Sequence, residues 1–408
     1  MKANFRFALI LLVGVMFAAF LTGPASHAGP DSPDIAALVD RVERERLREH
    51  VDEIDEPRNA FAQPEALQRT ADYIQGALEG YGYPVRLEPV TFSDATSPNV
   101  IAVQEGASCS ERVFIVGAHY DSVDVTPGAD DDASGVAAML EIARVLADTR
   151  LPATVWYTGF TMEENGLVGS FNMAQDAEEA GLEIVGMYSL EMIGYTTEES
   201  DFIVILGNRA SVRLTDAYRR AQEAHVPELP SVIANVPGNG EEQRDSRRSD
   251  NAPFWDRGFQ ALMVTDTANF RNPNYHEPSD TIDTLDFDFM TNVTKAMLAM
   301  TVEYLAYDGD GDGEADACSG PLIATPTESL PNPEELLGES STPTLRATFT
   351  PAPVIDGLPE TGGGAGDGGS ASLAAWWLVA LSLVAGALAV LAAAVALLRR
   401  PAPSRTGR

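Results

Sequence analysis

The chain has 408 residues, too many for one small module and enough for a large domain with appended segments. Its 27 Lys and Arg residues against 61 Asp and Glu residues give a formal net charge of −34, and a polyanion of this size repels phosphate backbones, so nucleic acid is excluded as a general partner. Hydrophobic residues make up 45% of the chain, which is typical of a packed core and excludes a wholly disordered protein.

Residues 1–28 have the pattern of a secretory signal peptide. A positively charged start precedes an apolar run, and small residues flank a predicted cleavage site after Ala28. An uncleaved membrane anchor is the alternative for this segment. Either interpretation predicts that the rest of the chain lies outside the cytoplasm, where its two cysteines, Cys109 and Cys318, could keep a disulfide.

Residues 31–318 alternate between helical and strand-like patterns, which predicts one folded domain. Apolar residues recur at helical spacing in 34–54, 64–78, 134–147, 213–224 and 287–304, and a further helix is predicted after Leu167. Strand-like runs occupy 85–92, 99–104, 113–118, 154–160, 184–190, 202–206 and 261–265. This alternation predicts an α/β three-layer sandwich, with a mixed, largely parallel central sheet flanked by helices.

Histidines and carboxylates gather where the predicted strands end, the place where α/β sheets bind ligands. They are His119 and Asp121 after strand 113–118, Asp131 in an acidic turn before a helix, Glu163 and Glu164 after strand 154–160, Glu191 after strand 184–190, and His276 in the turn 275–280. Imidazoles with several carboxylates favour a divalent metal, zinc above all, and their crowded negative charge requires a cation. Acidic turns and glutamate pairs taken singly are also common as solvated structural features.

Four motifs at these positions resemble those of the co-catalytic zinc exopeptidases, the family typified by secreted bacterial leucine aminopeptidases. They are His119-x-Asp121, the turn 131–135 (Asp-Asp-x-Ser-Gly), the segment 163–170 (Glu-Glu-Asn-Gly-Leu-x-Gly-Ser) and the segment 275–281 (Tyr-His-x-Pro-Ser-Asp-Thr). The resemblance covers most of residues 55–306. It implies the zinc-exopeptidase fold and hydrolysis of N-terminal residues from peptide or protein substrates.

The resemblance also implies a site with two zinc ions. The implied ligands are His119, Asp131 and Glu191 for one ion, and Asp131, Glu164 and His276 for the other. Glu163 would be the general base that takes a proton from a water bridging the metals. Asp121 would orient His119, and Tyr275 would polarise the scissile carbonyl.

Position 191 departs from the best-known relatives, which carry aspartate there. The longer Glu191 side chain can still bind zinc, but it puts the requirement for a free N-terminus in doubt. Asn251 stands where relatives often carry histidine, and we expect it to lie outside the metal shell.

Two alternative functions remain: a glutaminyl-cyclase-like acyltransferase with one zinc, and a non-catalytic surface binding module on a peptidase scaffold. The complete ligand set and the intact Glu163 favour the peptidase.

An acidic loop follows the last predicted helix. Asp308, Asp310, Asp312 and Asp316 occupy oxygen-ligand positions of a calcium loop of the EF-hand type. The position of the bidentate glutamate is taken by Ser319, and no second helix is predicted. Calcium binding and a solvated acidic turn are therefore both open for this loop.

The C-terminal region resembles a cell-wall sorting signal. Its parts are a Pro- and Thr-rich stalk (319–357), the pentapeptide Leu-Pro-Glu-Thr-Gly (358–362), an apolar segment long enough to span a membrane (373–398) and a basic, cytoplasmic tail (399–408). The resemblance implies that a sortase-type transpeptidase cleaves between Thr361 and Gly362 and attaches the protein to the cell wall. A plain C-terminal membrane anchor is the alternative. Both predict an extracellular protein held at the cell surface.

Overall fold

The computed structural model describes residues 33–198, 201–307 and 315–319. All of them belong to the first of the two compact units of the chain, Met1–Leu330. The predicted signal peptide, stalk, sorting motif, apolar segment and basic tail lie outside the described residues. Within the described ranges, we find no helix that is both long and apolar enough to cross a membrane.

The described residues form one mixed sheet of eight strands. The strands are β1 (Val85–Phe92), β2 (Ala95–Gln104), β3 (Cys109–His119), β4 (Ala153–Phe160), β5 (Glu183–Leu190), β6 (Ile203–Asn208), β7 (Ser231–Val236) and β8 (Ala261–Thr265). Their spatial order is β1-β2-β4-β3-β5-β8-β6-β7. The four central strands β4, β3, β5 and β8 are parallel, whereas β2 pairs antiparallel with both β1 and β4, and β6 pairs antiparallel with β8.

Helices cover both faces of this sheet. They are α1 (Ile35–Val39), α2 (Arg44–Ile54), α3 (Pro64–Gly80), α4 (Gly135–Leu146), α5 (Val168–Ala180), α6 (Val212–His225), α7 (Asn251–Asp256), α8 (Phe287–Ala306) and α9 (Asp316–Ser319). Single 3₁₀ turns lie at Arg209–Ser211, Arg244–Arg247, Ala268–Phe270 and Ile282–Thr284. Helices α1–α4, α6 and α8 share one core with the sheet, and α5 and α7 contribute to a second core. The predicted three-layer α/β sandwich is confirmed.

Strand β3 lies at the centre of the domain because its side chains are apolar on both sides. Phe114 and Val116 point into the larger core, and Val113 and Ile115 point into the smaller one. Burial of each such side chain stabilises the fold by about 1.5–3 kcal/mol. This doubly buried strand holds its last residue, His119, in a fixed place at the edge of the sheet.

The structure corrects the N-terminal helix prediction. Residues 34–54 form two helices, α1 and α2, rather than one. The backbone N–H of Glu43 donates to the buried carboxylate of Glu141 at 2.7 Å and not to the carbonyl of Val39, so the helical hydrogen-bond series is interrupted. The sequence patterns do not predict strand β7, none of whose residues is buried, or helix α7, which is too short to show a helical period.

A disulfide joins Cys109, the first residue of β3, to Cys318, with 5.5 Å between the two Cα atoms and a sequence separation of 209. Arg112 adds a hydrogen bond from its Nη1 to the carbonyl of Ala317 at 3.0 Å. The segment 315–319 is therefore fixed at the opposite end of β3 from His119.

Candidate metal centre

The centre begins at the carboxyl end of β3. His119 is fully buried there, and its Nδ1 lies 3.2 Å from the backbone oxygen of Asp121 and 3.5 Å from a carboxylate oxygen of the same residue. The Asp121 carboxylate in turn accepts the backbone N–H groups of Glu163 at 2.9 Å and Glu164 at 3.2 Å. Asp121 therefore orients His119 and joins the ends of β3 and β4.

Three consecutive aspartates form the irregular turn between β3 and α4, and only the middle one, Asp131, belongs to the groups of potential metal ligands. Asp130 accepts the backbone N–H of Gly194 at 2.9 Å. Asp132 accepts the backbone N–H of Met192 at 3.1 Å. Both therefore tie the turn to the segment after β5. The backbone of Asp131 is not helical, and its side chain points to the histidines.

The Asp131 carboxylate lies between two groups of potential ligands. The Nε2 atom of His119 is 3.1 Å from Asp131 Oδ1 and 3.7 Å from Glu191 Oε2. The Nε2 atom of His276 is 3.2 Å from Asp131 Oδ2 and 3.3 Å from Glu164 Oε2. In each group the three ligand atoms lie within 4.8 Å of one another. The structure thus brings all five predicted metal ligands together, with Asp131 common to both groups.

The unpaired atoms at this site fit metal ions. Buried polar atoms normally have hydrogen-bond partners. Here, each of the five ligand residues has one buried atom with no such partner: His119 Nε2, Asp131 Oδ2, Glu164 Oε1, Glu191 Oε2 and His276 Nε2. Nitrogen and carboxylate donors left unpaired in this way are the donor set that zinc prefers.

The electrostatics of the site point the same way. Burial raises the pKa of Glu191 to about 8 and that of Glu163 well above its usual range. Burial opposes protonation of His276, but the carboxylates of Asp131 and Glu164 outweigh it and raise the pKa of that imidazole to about 10. Without a cation the site would hold extra protons, so a divalent metal would compete with those protons.

Left-handed backbone conformations occur next to the ligands. Met162, directly before Glu163, has φ 54°, and Met192, directly after Glu191, has the same value. His276 itself has φ 60°. Residues other than glycine rarely adopt this backbone conformation. Those that do cluster at functional sites, where the surrounding structure holds them in place.

Asp280 connects the turn that carries His276 to the central carboxylate. It is fully buried, and its two oxygens accept the backbone N–H groups of Asp130 at 2.9 Å and Asp131 at 3.1 Å. The sequence placed Asp280 in a motif but gave it no role. This contact explains how the turn 275–280 is held against Asp131.

Tyr275 lies beside the second ligand group. Its ring stacks on the imidazole of His276, with 3.7 Å between ring centroids and 21° between planes. Its hydroxyl accepts a hydrogen bond from Nη2 of Arg248 at 2.9 Å. Sequence reasoning did not single out Arg248, although this basic residue comes just before the buried pair Ser249 and Asp250.

Two further predictions concern residues near or beyond the centre. Asn251 belongs to neither ligand group, and its side chain donates to the carbonyl of Ser246 at 3.0 Å. Of the predicted calcium ligands, Asp308, Asp310 and Asp312 lie outside the described residues, so calcium binding stays a prediction. Asp316 lies at the start of α9, with a carboxylate oxygen 3.5 Å from Nη2 of Arg213.

Comparison with known proteins agrees with this geometry. The model of peptidase family M28 matches residues 99–301. Over 264 residues the chain is 30% identical to the uncharacterized protein YfbL of Escherichia coli (strain K12), an alignment that covers 57% of this chain and 79% of YfbL. It is also 30% identical over 268 residues to a probable zinc metalloprotease of Pyricularia oryzae, covering 56% of this chain and 51% of that protein, so it spans about half of that relative.

The fold and the centre together define a zinc metallopeptidase. The chain belongs to peptidase family M28. The predicted metallopeptidase is therefore confirmed at the level of the family, and zinc is the metal named for its relatives.

Solved structures show the same fold. The aminopeptidase from Aneurinibacillus sp. strain AM-1 superposes with a TM-score of 0.56 at 20% identity, covering 69% of this chain and 97% of that one. The glutaminyl cyclase of Porphyromonas gingivalis superposes with a TM-score of 0.53 at 18% identity, covering 64% and 98%. At these identities the likeness concerns the fold alone, and it does not separate peptide hydrolysis from acyl transfer.

Proposed function

We propose that this protein is an aminopeptidase that binds two zinc ions and acts at the cell surface. One observation carries the proposal: the two oxygens of Asp131 face different histidines, His119 and His276, and each half is completed by a separate glutamate. A site for a single zinc would require only one of these halves. The shared carboxylate supports a pair of metal ions and hence hydrolysis of a peptide bond.

His119, Asp131 and Glu191 would hold one zinc, and Asp131, Glu164 and His276 the other. Zinc ions in such a pair make a water more acidic and polarise a carbonyl group. Glu163 belongs to neither group; it precedes the ligand Glu164 in the chain, and its backbone N–H donates to the Asp121 carboxylate. Its carboxylate is thus free to accept a proton from the attacking water and to pass it to the leaving amine.

Tyr275 is suited to stabilise the oxygen of the scissile carbonyl. Burial raises the pKa of its hydroxyl, and the nearby Asp131 carboxylate raises it further, so the group stays protonated at neutral pH. The stacked His276 ring and the Arg248 guanidinium hold the phenol in one orientation. A hydrogen bond donated to a developing oxyanion is a recognised contribution to acyl-transfer catalysis.

Recognition of a free N-terminus requires carboxylates that pair with the substrate ammonium. Glu163 and Glu191 are the buried candidates. We expect an N-acetylated leucyl substrate to be cleaved at least about 10²-fold less efficiently than the free one, since a carboxylate would stay unpaired.

The matched substrate pair tests the proposal, because only the α-amine differs. Equal kcat/KM values would contradict the aminopeptidase assignment and leave a zinc hydrolase. A Glu191→Asp variant that regains a preference for the free amine would then identify the longer side chain as the cause. Cyclisation of an N-terminal glutamine peptide without hydrolysis would favour the acyltransferase.

We place the enzyme outside the cytoplasm, anchored by its C-terminus. The Cys109–Cys318 disulfide supports this location, because disulfides persist in oxidising compartments. A sortase-type transpeptidase would be the processing partner. The wall-linked wild-type protein isolated from the source cell should end at Thr361, as measured by mass spectrometry. The Thr361→Ala variant should remain in the membrane. An intact tail through Arg408 in the wild type would favour the plain membrane anchor.

A further inference from the structure

Arg58 is a fully buried cation close to the metal centre. It lies in the connection between α2 and α3, ahead of residues 99–301. Among the described residues it is the only lysine or arginine in the buried class. A buried charge is costly unless its donors are satisfied, so this position requires an explanation.

Backbone carbonyls accept the hydrogen bonds of the Arg58 guanidinium. The acceptors are Tyr120 at 2.7 Å from Nε, Gly128 at 2.9 Å from Nη2, Ile54 at 3.1 Å and Glu56 at 3.2 Å from Nη1, and Pro127, also from Nη1. The fork-shaped donor set of arginine can reach three chain segments at once, which the single ammonium of lysine cannot do in the same geometry. Arg58 thus joins the end of α2 to two loops.

Both of these loops carry metal ligands. Tyr120 lies between His119 and Asp121, and the Pro127–Gly128 pair leads directly into the turn of Asp131. The separation of His119 and Asp131 therefore depends on how the guanidinium spaces the two loops.

The packing around Gly128 shows how closely this spacing is set. Gly128 has φ 66°, and a Cβ built on it would lie 3.2 Å from Nη1 of Arg58 and would overlap the backbone oxygen of Asp131. The chain approaches the guanidinium and the ligand turn too closely for any side chain. A small shift of Arg58 would consequently be transmitted to Asp131.

The charge of Arg58 also acts on the centre. Burial lowers its pKa, whereas Asp121, Asp280 and Asp131 oppose that shift through space. Its five hydrogen-bond acceptors are all backbone carbonyls, so the positive charge is not paired with one carboxylate and acts on the acidic centre as a whole.

We infer that Arg58 is a positioning residue for metal binding: its guanidinium sets the distance between the loops of His119 and Asp131. This inference rests on the proposed zinc site. The test compares two variants, Arg58→Lys and Asn59→Ala. Arg58→Lys keeps the positive charge but loses the planar guanidinium with its several N–H donors. Asn59 donates to Ser122 at 3.0 Å in the same loop but bonds none of the carbonyls that Arg58 holds, so it is a matched control for loss of loop stability.

Two readouts separate positioning from stability. The first is the zinc affinity of the metal-free full-length protein, measured by competition with a chromophoric chelator. The second is the visible absorption spectrum after loading with Co²⁺, which reports ligand geometry. We expect Arg58→Lys to bind zinc roughly tenfold or more weakly, as seen when supporting residues of metal sites are removed, and to shift the Co²⁺ spectrum. Asn59→Ala should lower the melting temperature and leave both readouts at the wild-type value.

Wild-type zinc affinity and Co²⁺ spectrum in a folded Arg58→Lys variant would overturn the inference. So would failure of Arg58→Lys to fold in the presence of zinc, since a positioning role must be separable from folding. The same changes in Asn59→Ala would show a general stability effect and would also overturn it. The outcomes for the proposed function are distinct: a wild type that binds zinc without hydrolysing peptides contradicts the aminopeptidase proposal and leaves the Arg58 measurement intact.

Discussion

The carboxylate of Asp121 lies 2.9 Å from the backbone nitrogen of Glu163 and accepts its hydrogen bond. The same carboxylate lies 3.5 Å from Nδ1 of His119. One buried side chain thereby orients a proposed metal ligand and fixes the backbone of the proposed general base. The groups of potential ligands and the carboxylate proposed as the base are consequently coupled through Asp121, although Asp121 itself belongs to neither ligand group.

Replacing Asp121 should weaken both functions. An Asp121→Asn variant presents an amide N–H₂ where two backbone N–H donors point, so one donor loses its partner. We expect zinc affinity to fall about 10–100-fold, measured by chelator competition on the metal-free protein. An affinity equal to that of the wild type would show that His119 is oriented without Asp121.

Two adjacent glutamates should respond differently to the same change. Glu163→Gln removes the base but no ligand, so it should keep zinc and lose at least about 10²-fold in kcat. Glu164→Gln replaces a charged ligand and should lose zinc from the His276 half. Elemental analysis beside kcat for the two variants checks both expectations, and near-normal turnover by Glu163→Gln would exclude it as the base.

The disulfide should stabilise the domain without affecting chemistry. It encloses most of the described chain and lies at the opposite end of β3 from His119. We expect the Cys109→Ser/Cys318→Ser double variant to lose about 2–5 kcal/mol of unfolding free energy and to keep its kcat well below the melting temperature. Reduced wild-type protein is the control and should match the variant. A denaturant midpoint of the double variant equal to that of the wild type would contradict this account.

His50 should make the fold sensitive to acid. It is buried, with Nδ1 at 2.7 Å from the hydroxyl of Tyr73 and Nε2 at 3.2 Å from that of Tyr81. Burial, aided by nearby arginines, lowers its pKa to about 4, whereas in the unfolded chain the pKa is about 6.5.

Below pH 6.5 the unfolded chain therefore binds a proton at His50 that the folded domain does not, so stability is complete above this pH and falls as the pH drops towards 4. The loss amounts to about 3 kcal/mol. A His50→Gln variant should show a flatter dependence of unfolding free energy on pH between 6.5 and 4. An unchanged slope would assign the acid sensitivity to other groups.

The sequence was informative where one local signal determines the structure. The apolar run of β3 predicts a doubly buried strand, and the carboxyl ends of parallel strands predict a metal site near His119 and Glu191, whereas the grouping of these two with Asp131 is implied by the resemblance to zinc exopeptidases. The sequence could not predict Arg58, because a single arginine in a turn resembles any surface arginine until the fold buries it. It likewise could not assign Asp130 and Asp132 to backbone N–H groups of the segment after β5, since those contacts exist only once the chain is folded.

Zinc titration of the metal-free protein, with hydrolysis of leucyl-p-nitroanilide followed in the same samples, tests the central claim most directly. The shared Asp131 carboxylate predicts two bound zinc ions per chain, activity that is lost with a chelator and regained with zinc, and loss of both zinc and activity in Asp131→Ala. Saturation at one zinc per chain, or full zinc occupancy in Asp131→Ala, would contradict the two-metal account.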